Sequence, residues 1–228
     1  MMKVLITGGG SEEPIDTVRC ICNFSTGRTS AFLAEQLSQK GHNVTLLQSV
    51  RGKVAELNSN LTVKNYRTFH DLQENLKNEC QTGNYDVIIQ AAAVSDYSVG
   101  SIIVDGKEYS PEQIPKVSSG CELSIKMKQN PKLVDSIKKW ALDAGCKTPV
   151  LVAFKLTSKA DLEDRKKAVK KVFDSTGNST LAPDYEISND LSEITSQAHP
   201  CRIFMNDMSV KKEVNNLQEL ALALENLI

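Results

Sequence analysis

The amino terminus is a strand that runs straight into glycine. Lys3 to Thr7 is a short apolar, β-branched run, and Gly8, Gly9 and Gly10 follow it directly. A run of this length reads as a buried strand, and glycines at its carboxyl end let a backbone or a ligand come close. Further short runs rich in Val, Ile and Leu alternate with helical patterns, the signature of a parallel sheet covered by helices. We therefore expect an α/β, Rossmann-like fold, mostly parallel, in a single domain over residues 1–228.

The expected strands are Lys3 to Thr7, Asn43 to Gln48, Thr62 to Tyr66, Tyr85 to Gln90, Glu122 to Met127, Val150 to Phe154, Tyr185 to Ser188 and Arg202 to Met205. Helices are expected over Ser30 to Lys40, which Gly41 can end, over Asp71 to Cys80, from Pro131 onward, and over Ala160 to Asp174. A last helix carries Leu217, Leu220, Leu224 and Leu227 on one face. The stretch from Ser95 to Gly120 is too long for an ordinary connection, and Asp105-Gly106 inside it has the chemistry of a hairpin turn. This predicts a protruding flap or dimerisation arm over about residues 97–120. Asp174 to Pro183, rich in Gly, Ser, Thr and Asn, is expected to be a mobile loop.

Charge excludes some partners. Lys and Arg number 27 against 28 Asp and Glu, so no overall field draws the chain to nucleic acid or an anionic membrane, and any anion must be bound locally. No secretory signal or membrane-spanning run is legible. The six cysteines are scattered without a CxxC pair, which suits reduced thiols in the cytoplasm, and no metal-ligand spacing is present. Redox chemistry through Cys20 and Cys22 is the minor alternative.

A glycine-rich turn after the first strand is where α/β sheets bind phosphates and nucleotides. A dinucleotide site would place a third glycine at the start of the next helix, but Ser11-Glu12-Glu13-Pro14 intervenes and the next glycine is Gly27. No tyrosine has a lysine four residues later, so hydride transfer by a short-chain reductase is disfavoured. Instead, Asn23-Phe24-Ser25-Thr26-Gly27-Arg28 forms a second loop of donors just before a helix, with Arg19 and Arg28 supplying charge.

The run from Ile6 to Arg19, leading to Asn23-Phe24-Ser25-Thr26-Gly27, resembles the amino-terminal signature of the phosphopantothenate–cysteine ligases, also called phosphopantothenoylcysteine synthetases. The resemblance continues through Ala91-Ala92-Ala93-Val94-Ser95-Asp96-Tyr97, Lys116-Val117-Ser118-Ser119, Asn130-Pro131-Lys132, Val152 to Leu156, and Asn189-Asp190. It implies a ligase of coenzyme A biosynthesis. In this family phosphopantothenate attacks a nucleoside triphosphate, and the amine of L-cysteine then displaces the nucleotide from an acyl nucleotidylate.

The resemblance also assigns residues. Asn23 would hold the substrate carboxylate and the acyl intermediate. Arg19 would steady its loop or the phosphates, and Lys116, on the flap, would neutralise triphosphate or developing charge. Gly9, Gly10, Ser25 and Gly27 would line the triphosphate, Ala92, Ala93 and Asp96 the nucleotide or phosphopantothenate, and Phe154 and Asn189 the base and ribose. A lysine pair from among Lys166, Lys167, Lys170 and Lys171 would reach phosphate.

Two departures bear on the base. Val117, Ser118 and Ser119 stand where bacterial two-domain members carry lysines, and Phe154-Lys155-Leu156 replaces a more acidic segment. CTP is favoured over ATP, with Mg²⁺ arriving on the triphosphate and no protein metal site. The chain starts at the ligase motif, so a separate phosphopantothenoylcysteine decarboxylase is expected to act next. A homodimer is expected, its arm from about Ser98 to Glu112 reaching the other subunit. The alternatives are an NAD(P)-binding oxidoreductase and a non-catalytic nucleotide-binding module.

Overall fold

The computed structural model describes residues 1–114, 116–177 and 180–228, with the side chain of Glu112 outside the description. Its strands are β1 (Lys3–Gly8), β2 (Glu12–Pro14), β3 (Cys20–Cys22), β4 (Asn43–Ser49), β5 (Leu61–Tyr66), β6 (Val87–Gln90), β7 (Tyr97–Val104), β8 (Lys107–Tyr109), β9 (Leu123–Gln129), β10 (Val150–Thr157), β11 (Tyr185–Asp190), β12 (Cys201–Met205) and β13 (Val210–Val214). The helices are α1 (Arg28–Gln39), α2 (Phe69–Thr82), α3 (Ile137–Asp143), α4 (Leu162–Asp174) and α5 (Leu217–Leu227).

Eight strands form one sheet in the order β13-β12-β11-β10-β6-β1-β4-β5. The six from β11 to β5 are parallel, and β12 and β13 add an antiparallel edge. Period-2 alternation divides the core between the two faces. Val4, Ile6, Val44, Leu46, Ile89 and Val152 pack under α1 and α5, whereas Leu5, Leu47, Ile88 and Leu151 pack under α2 and α3. The chain winds outward from β1 through β4 to β5, then returns beside β1 with β6. That reversal makes the carboxyl ends of β1 and β6 the switch point of the sheet.

The expected Rossmann-like layout is present, with local differences. Pro131 does not open a helix: Lys132 is extended, a 3₁₀ turn covers Leu133–Ser136, and α3 begins only at Ile137. Asp161, not Ala160, starts α4, its side chain accepting from the Asp164 amide. The expected arm is larger than its hairpin, because β9 joins β7 and β8 in a separate three-stranded sheet. Asp105 and Gly106, at φ 48° and 79°, make the turn between β7 and β8, and Val117 and Ile114 join Ile15 and Ile102 in a small core beneath the arm. Of the segments expected to be a flap and a mobile loop, Pro115, Asn178 and Ser179 lie outside the described residues.

One buried group is chemically out of place. Glu186 on β11 is fully buried, and among the described residues neither carboxyl oxygen has a hydrogen-bond partner. Its strand neighbours across the sheet are Ala153 and Phe204, and Phe204 packs with Val169 and Phe173 of α4. Burial pushes the Glu186 carboxyl up to about 8, Lys155 opposing the shift, so at neutral pH the folded protein keeps this group protonated. An acid raised on folding from its ordinary 4.5 contributes stability that is complete below that value and is lost as pH rises through about 8. Glu186→Gln should therefore flatten the fall in unfolding free energy between those pH values, a slope that approaches about 1.4 kcal/mol per pH unit for one proton. Urea unfolding measured across that range checks this, and parallel profiles for the two proteins would contradict it.

Candidate functional site

The glycine turn after β1 is locked from three sides. The Tyr66 hydroxyl, buried at the end of β5, donates to the carbonyls of Gly8 and Gly9 at 2.9 and 3.3 Å. The Ala93 amide donates to Gly9 O at 2.8 Å, and the Ser11 amide returns a bond to Ala93 O at 3.3 Å. Gly10 abuts the chain at Asn23, where a Cβ on Gly10 would lie 2.5 Å from the Asn23 carbonyl oxygen. Glycine is needed there because two backbones touch.

That contact sets the Asn23 loop against the loop after β6. The Asn23 amide nitrogen donates to Val94 O at 3.2 Å and Ala93 O at 3.4 Å, and the residue is otherwise exposed at the rim. Four residues on, Gly27 adopts φ 63° as the N-cap of α1, with no side chain capping the helix. The Arg28 amide meets the Thr26 hydroxyl at 3.4 Å, and the amides of Thr29 and Ser30 are left for an external acceptor at the positive end of the helix dipole. Gln48, buried at the end of β4, holds this geometry: its amide donates to Gly27 O at 3.2 Å and Lys53 O at 2.9 Å, and its oxygen accepts from Ser30 Oγ at 3.1 Å.

These loops border a cleft of about 1760 Å³ along the carboxyl edge of the sheet. Asn23, Ser25, Gly27, Ala92, Ala93, Asp96, Phe154 and Asn189 all line it. Gly9, Gly10, Arg19 and Lys116 do not: the two glycines are buried behind the lining, and Arg19 and Lys116 belong to the arm side. Of the four lysines of α4, Lys167 and Lys171 face the cleft, while Lys166 and Lys170 pair with Glu163 and Asp174.

The cleft is basic although the chain is not. Seven cationic side chains line it (Arg28, Arg51, Lys53, Lys132, Lys155, Lys167 and Lys171) against three carboxylates, Asp96, Asp135 and Asp164. A concave basic surface of this kind concentrates anions. Lys132 Nζ stands 2.5 Å from Asp96, and Lys167 stands 3.0 Å from Asp164, which raises the lysine above its usual range. At the far end the Asn189 amide nitrogen faces His199 Nε2 at 3.2 Å. Burial, and then Arg28, hold His199 below its ordinary pKa, so its ring is neutral at physiological pH.

The sequence reading did not single out Gln48, Arg51, Lys53, Lys155 or His199 as site residues. Arg51-Gly52-Lys53 follows β4 directly, and its place at the end of a parallel strand was the one available signal. Among the described residues no group of three or more His, Cys, Asp or Glu is gathered to hold a metal ion, and no helix is long and apolar enough to cross a membrane.

Comparison with known proteins points in one direction. The model of the family described as DNA/pantothenate metabolism flavoprotein C-terminal domain matches residues 1–220. The coenzyme A biosynthesis bifunctional protein CoaBC of Thermococcus kodakarensis is 27% identical over 219 residues, which are 96% of this chain and 49% of that protein. Its counterpart from Vibrio vulnificus is 30% identical over 174 residues, 75% of this chain and 39% of that one. The chain spans about half the length of these relatives or less. A crystal structure of the DNA/pantothenate metabolism flavoprotein from Streptococcus pneumoniae superposes with a TM-score of 0.84 at 28% identity, covering 100% of this chain and 98% of that one. A Cab2 variant in complex with phosphopantothenate-cysteine shares the fold, with a TM-score of 0.72 at 17% identity over 99% of this chain and 86% of that one.

The contact at Gly10 gives a direct test. Gly10→Ala should force the Asn23 backbone away and destabilise the protein by about 1–3 kcal/mol, the usual range for overpacking, read as a lower urea midpoint. An unchanged midpoint would mean the two loops separate without cost.

Proposed function

We propose a function from one premise: the chain belongs to the family described as DNA/pantothenate metabolism flavoprotein C-terminal domain. On this reading it is a phosphopantothenate–cysteine ligase of coenzyme A biosynthesis. The observation that carries the reading is a basic cleft at the switch point of the sheet, where the uncapped amino terminus of α1 and the Asn23 loop face the Ala92-Ala93 backbone. A triphosphate and a carboxylate both need such surroundings.

The chemistry proceeds in two balanced steps. A carboxylate oxygen of phosphopantothenate attacks the α-phosphorus of the nucleoside triphosphate, and pyrophosphate leaves. The amine of cysteine, its ammonium having lost a proton, then attacks the acyl carbon; the attacking nitrogen gives a second proton to solvent, and nucleoside monophosphate leaves with the electron pair of the broken C–O bond. The first step converts a poor acyl donor into a good one, so the protein's task is positioning and charge neutralisation. Asn23, already turned toward the Ala93-Val94 carbonyls, holds the substrate carboxylate and the acyl group. Ser25, Gly27 and the first amides of α1 take phosphate oxygens, with Lys167 and Lys171 opposite. Ala92, Ala93 and Asp96 take the nucleotide or phosphopantothenate, and Phe154 and Asn189 take base and ribose. Gly9 and Gly10 shape the triphosphate site through the loops they hold, Lys116 neutralises developing charge from the flap, and Arg19 steadies that side.

CTP is the favoured nucleotide, and Mg²⁺ enters on the triphosphate. The enzyme works in the cytoplasm, and a decarboxylase acts on its product. The dimer reading is supported by β9, an edge strand of the arm whose residues are almost all exposed, Leu123 and Met127 included.

Given Mg²⁺, phosphopantothenate and cysteine, the purified protein should release pyrophosphate with CTP faster than with ATP, and only when phosphopantothenate is present. Asn23→Asp should cut this by about 100-fold or more while the fold stays intact, the scale expected when an electrostatic contact to the reacting group is lost. No release with either nucleotide from folded protein would leave a nucleotide-binding module. Deleting Ile102 to Lys107 should convert a sedimenting dimer to monomer, and a dimer that survives the deletion would contradict the role given to the arm.

A further inference from the structure

Lys116 is the one proposed catalytic side chain that stands on an arm rather than on the sheet, and the residue after it is gripped in an unusual way. The Val117 side chain is buried with Ile15, Ile102 and Ile114. Its amide donates to Asp16 Oδ2 at 3.0 Å, and its carbonyl accepts from the Arg19 guanidinium. Asp16 is itself only 3% exposed, and its other oxygen accepts from the amides of Val18 and Arg19, both at 2.8 Å. Arg19 Nε lies 3.6 Å from Asp16 Oδ2. One carboxylate thus closes its own turn and ties that turn to a residue 101 positions away. The Val117 amide first, against burial, and then the turn amides and Arg19 hold the carboxyl below its ordinary range. Lys116, by contrast, is exposed, as are Ser118, Ser119 and Gly120 beyond the anchor.

We propose that Asp16 and Arg19 are positioning residues that clamp the Val117 backbone and so fix where the Lys116 ammonium can reach. This rests on the ligase reading for its functional half and on geometry alone for the clamp. Both backbone polar groups of one residue, Val117, are held by one turn, so the arm cannot slide past the Asn23 loop without breaking two charge-assisted hydrogen bonds. The turn that carries the clamp leads directly through β3 into Asn23. The same eight residues, Asp16 to Asn23, therefore set both the amide that meets the carboxylate and the lysine that meets the charge.

The test is a double-mutant cycle with an exchange measurement beside it. Asp16→Asn keeps an acceptor for the turn but can turn a donor toward the Val117 amide; Arg19→Gln serves if the first variant does not fold. The Val117 amide should exchange with solvent deuterium at least about tenfold faster in Asp16→Asn, which loses the hydrogen bond that protects it, and also faster in Arg19→Gln, which frees the Val117 carbonyl and loosens the same clamp. Exchange as slow as in the parent would overturn the clamp, whatever the enzyme's activity. In turnover, Asp16→Asn should lower kcat by up to about 100-fold, the scale of a small misplacement of a charged group, with nucleotide KM little changed. In a Lys116→Gln background the same change should cost no more than about twofold, because both act through one side chain. The full factor in both backgrounds would show that Asp16 acts independently of Lys116. If the parent protein turns over no substrate, the ligase reading fails and the exchange result alone decides the clamp.

Discussion

Two loops lie backbone against backbone at the centre of the sheet, and the site depends on that contact. Gly9 O accepts from the Ala93 amide, Ala93 O accepts from Ser11, and Gly10 leaves no room for a side chain beside the Asn23 carbonyl. Such contacts require bare backbone on one side and small residues on the other, which the three glycines and Ala91-Ala92-Ala93 provide. Tyr66 then bonds the carbonyls of the buried turn, and Gln48 holds Gly27 at the start of α1. With the turn fixed, Asn23, the start of α1 and the Ala92-Ala93 backbone face one cleft.

Electrostatics follow from that placement. A chain with net charge −1 concentrates seven cations around the cleft because the ends of β4, β10 and the face of α4 converge there. Several of these cations are already paired, as Lys132 with Asp96 and Lys167 with Asp164, which lowers the cost of holding like charges together before an anion arrives. Away from the cleft, the first loop is pinned by buried Glu12, which bonds Arg67 at 3.0 Å and also pairs with Arg51. Glu186 is the counterexample, a carboxyl kept neutral by burial beneath α4.

Much of this was legible in the sequence, and what was not has physical reasons. The parallel strands were visible because their faces are both buried, so they read as continuous apolar runs bounded by turn residues. The hairpin of β2 and β3 was not, since Glu12-Glu13-Pro14 and Cys20-Ile21-Cys22 show no usable alternation, and Glu12 is held by arginines far along the chain. Strand β13 was hidden by Lys211, Lys212 and Glu213, which an antiparallel edge exposes. The lysine pair on α4 could not be chosen from spacing, because 166/170 and 167/171 are equivalent i, i+4 pairs. Packing of Val169 and Phe173 fixes the rotation that turns Lys167 and Lys171 to the cleft. Asn23 stood out only through its surrounding motif, and the contact between Arg19 and Val117 spans 98 residues that no local pattern connects.

On the proposed function, the carboxylate is activated by attachment to the nucleotide. Phosphopantothenate carrying ¹⁸O in its carboxylate, incubated with cysteine, nucleoside triphosphate and enzyme, tests it directly by mass spectrometry of the products. The account predicts one ¹⁸O in the phosphate of the nucleoside monophosphate for each amide formed. Label appearing in inorganic phosphate instead, or amide formed with no transfer of label, would contradict it.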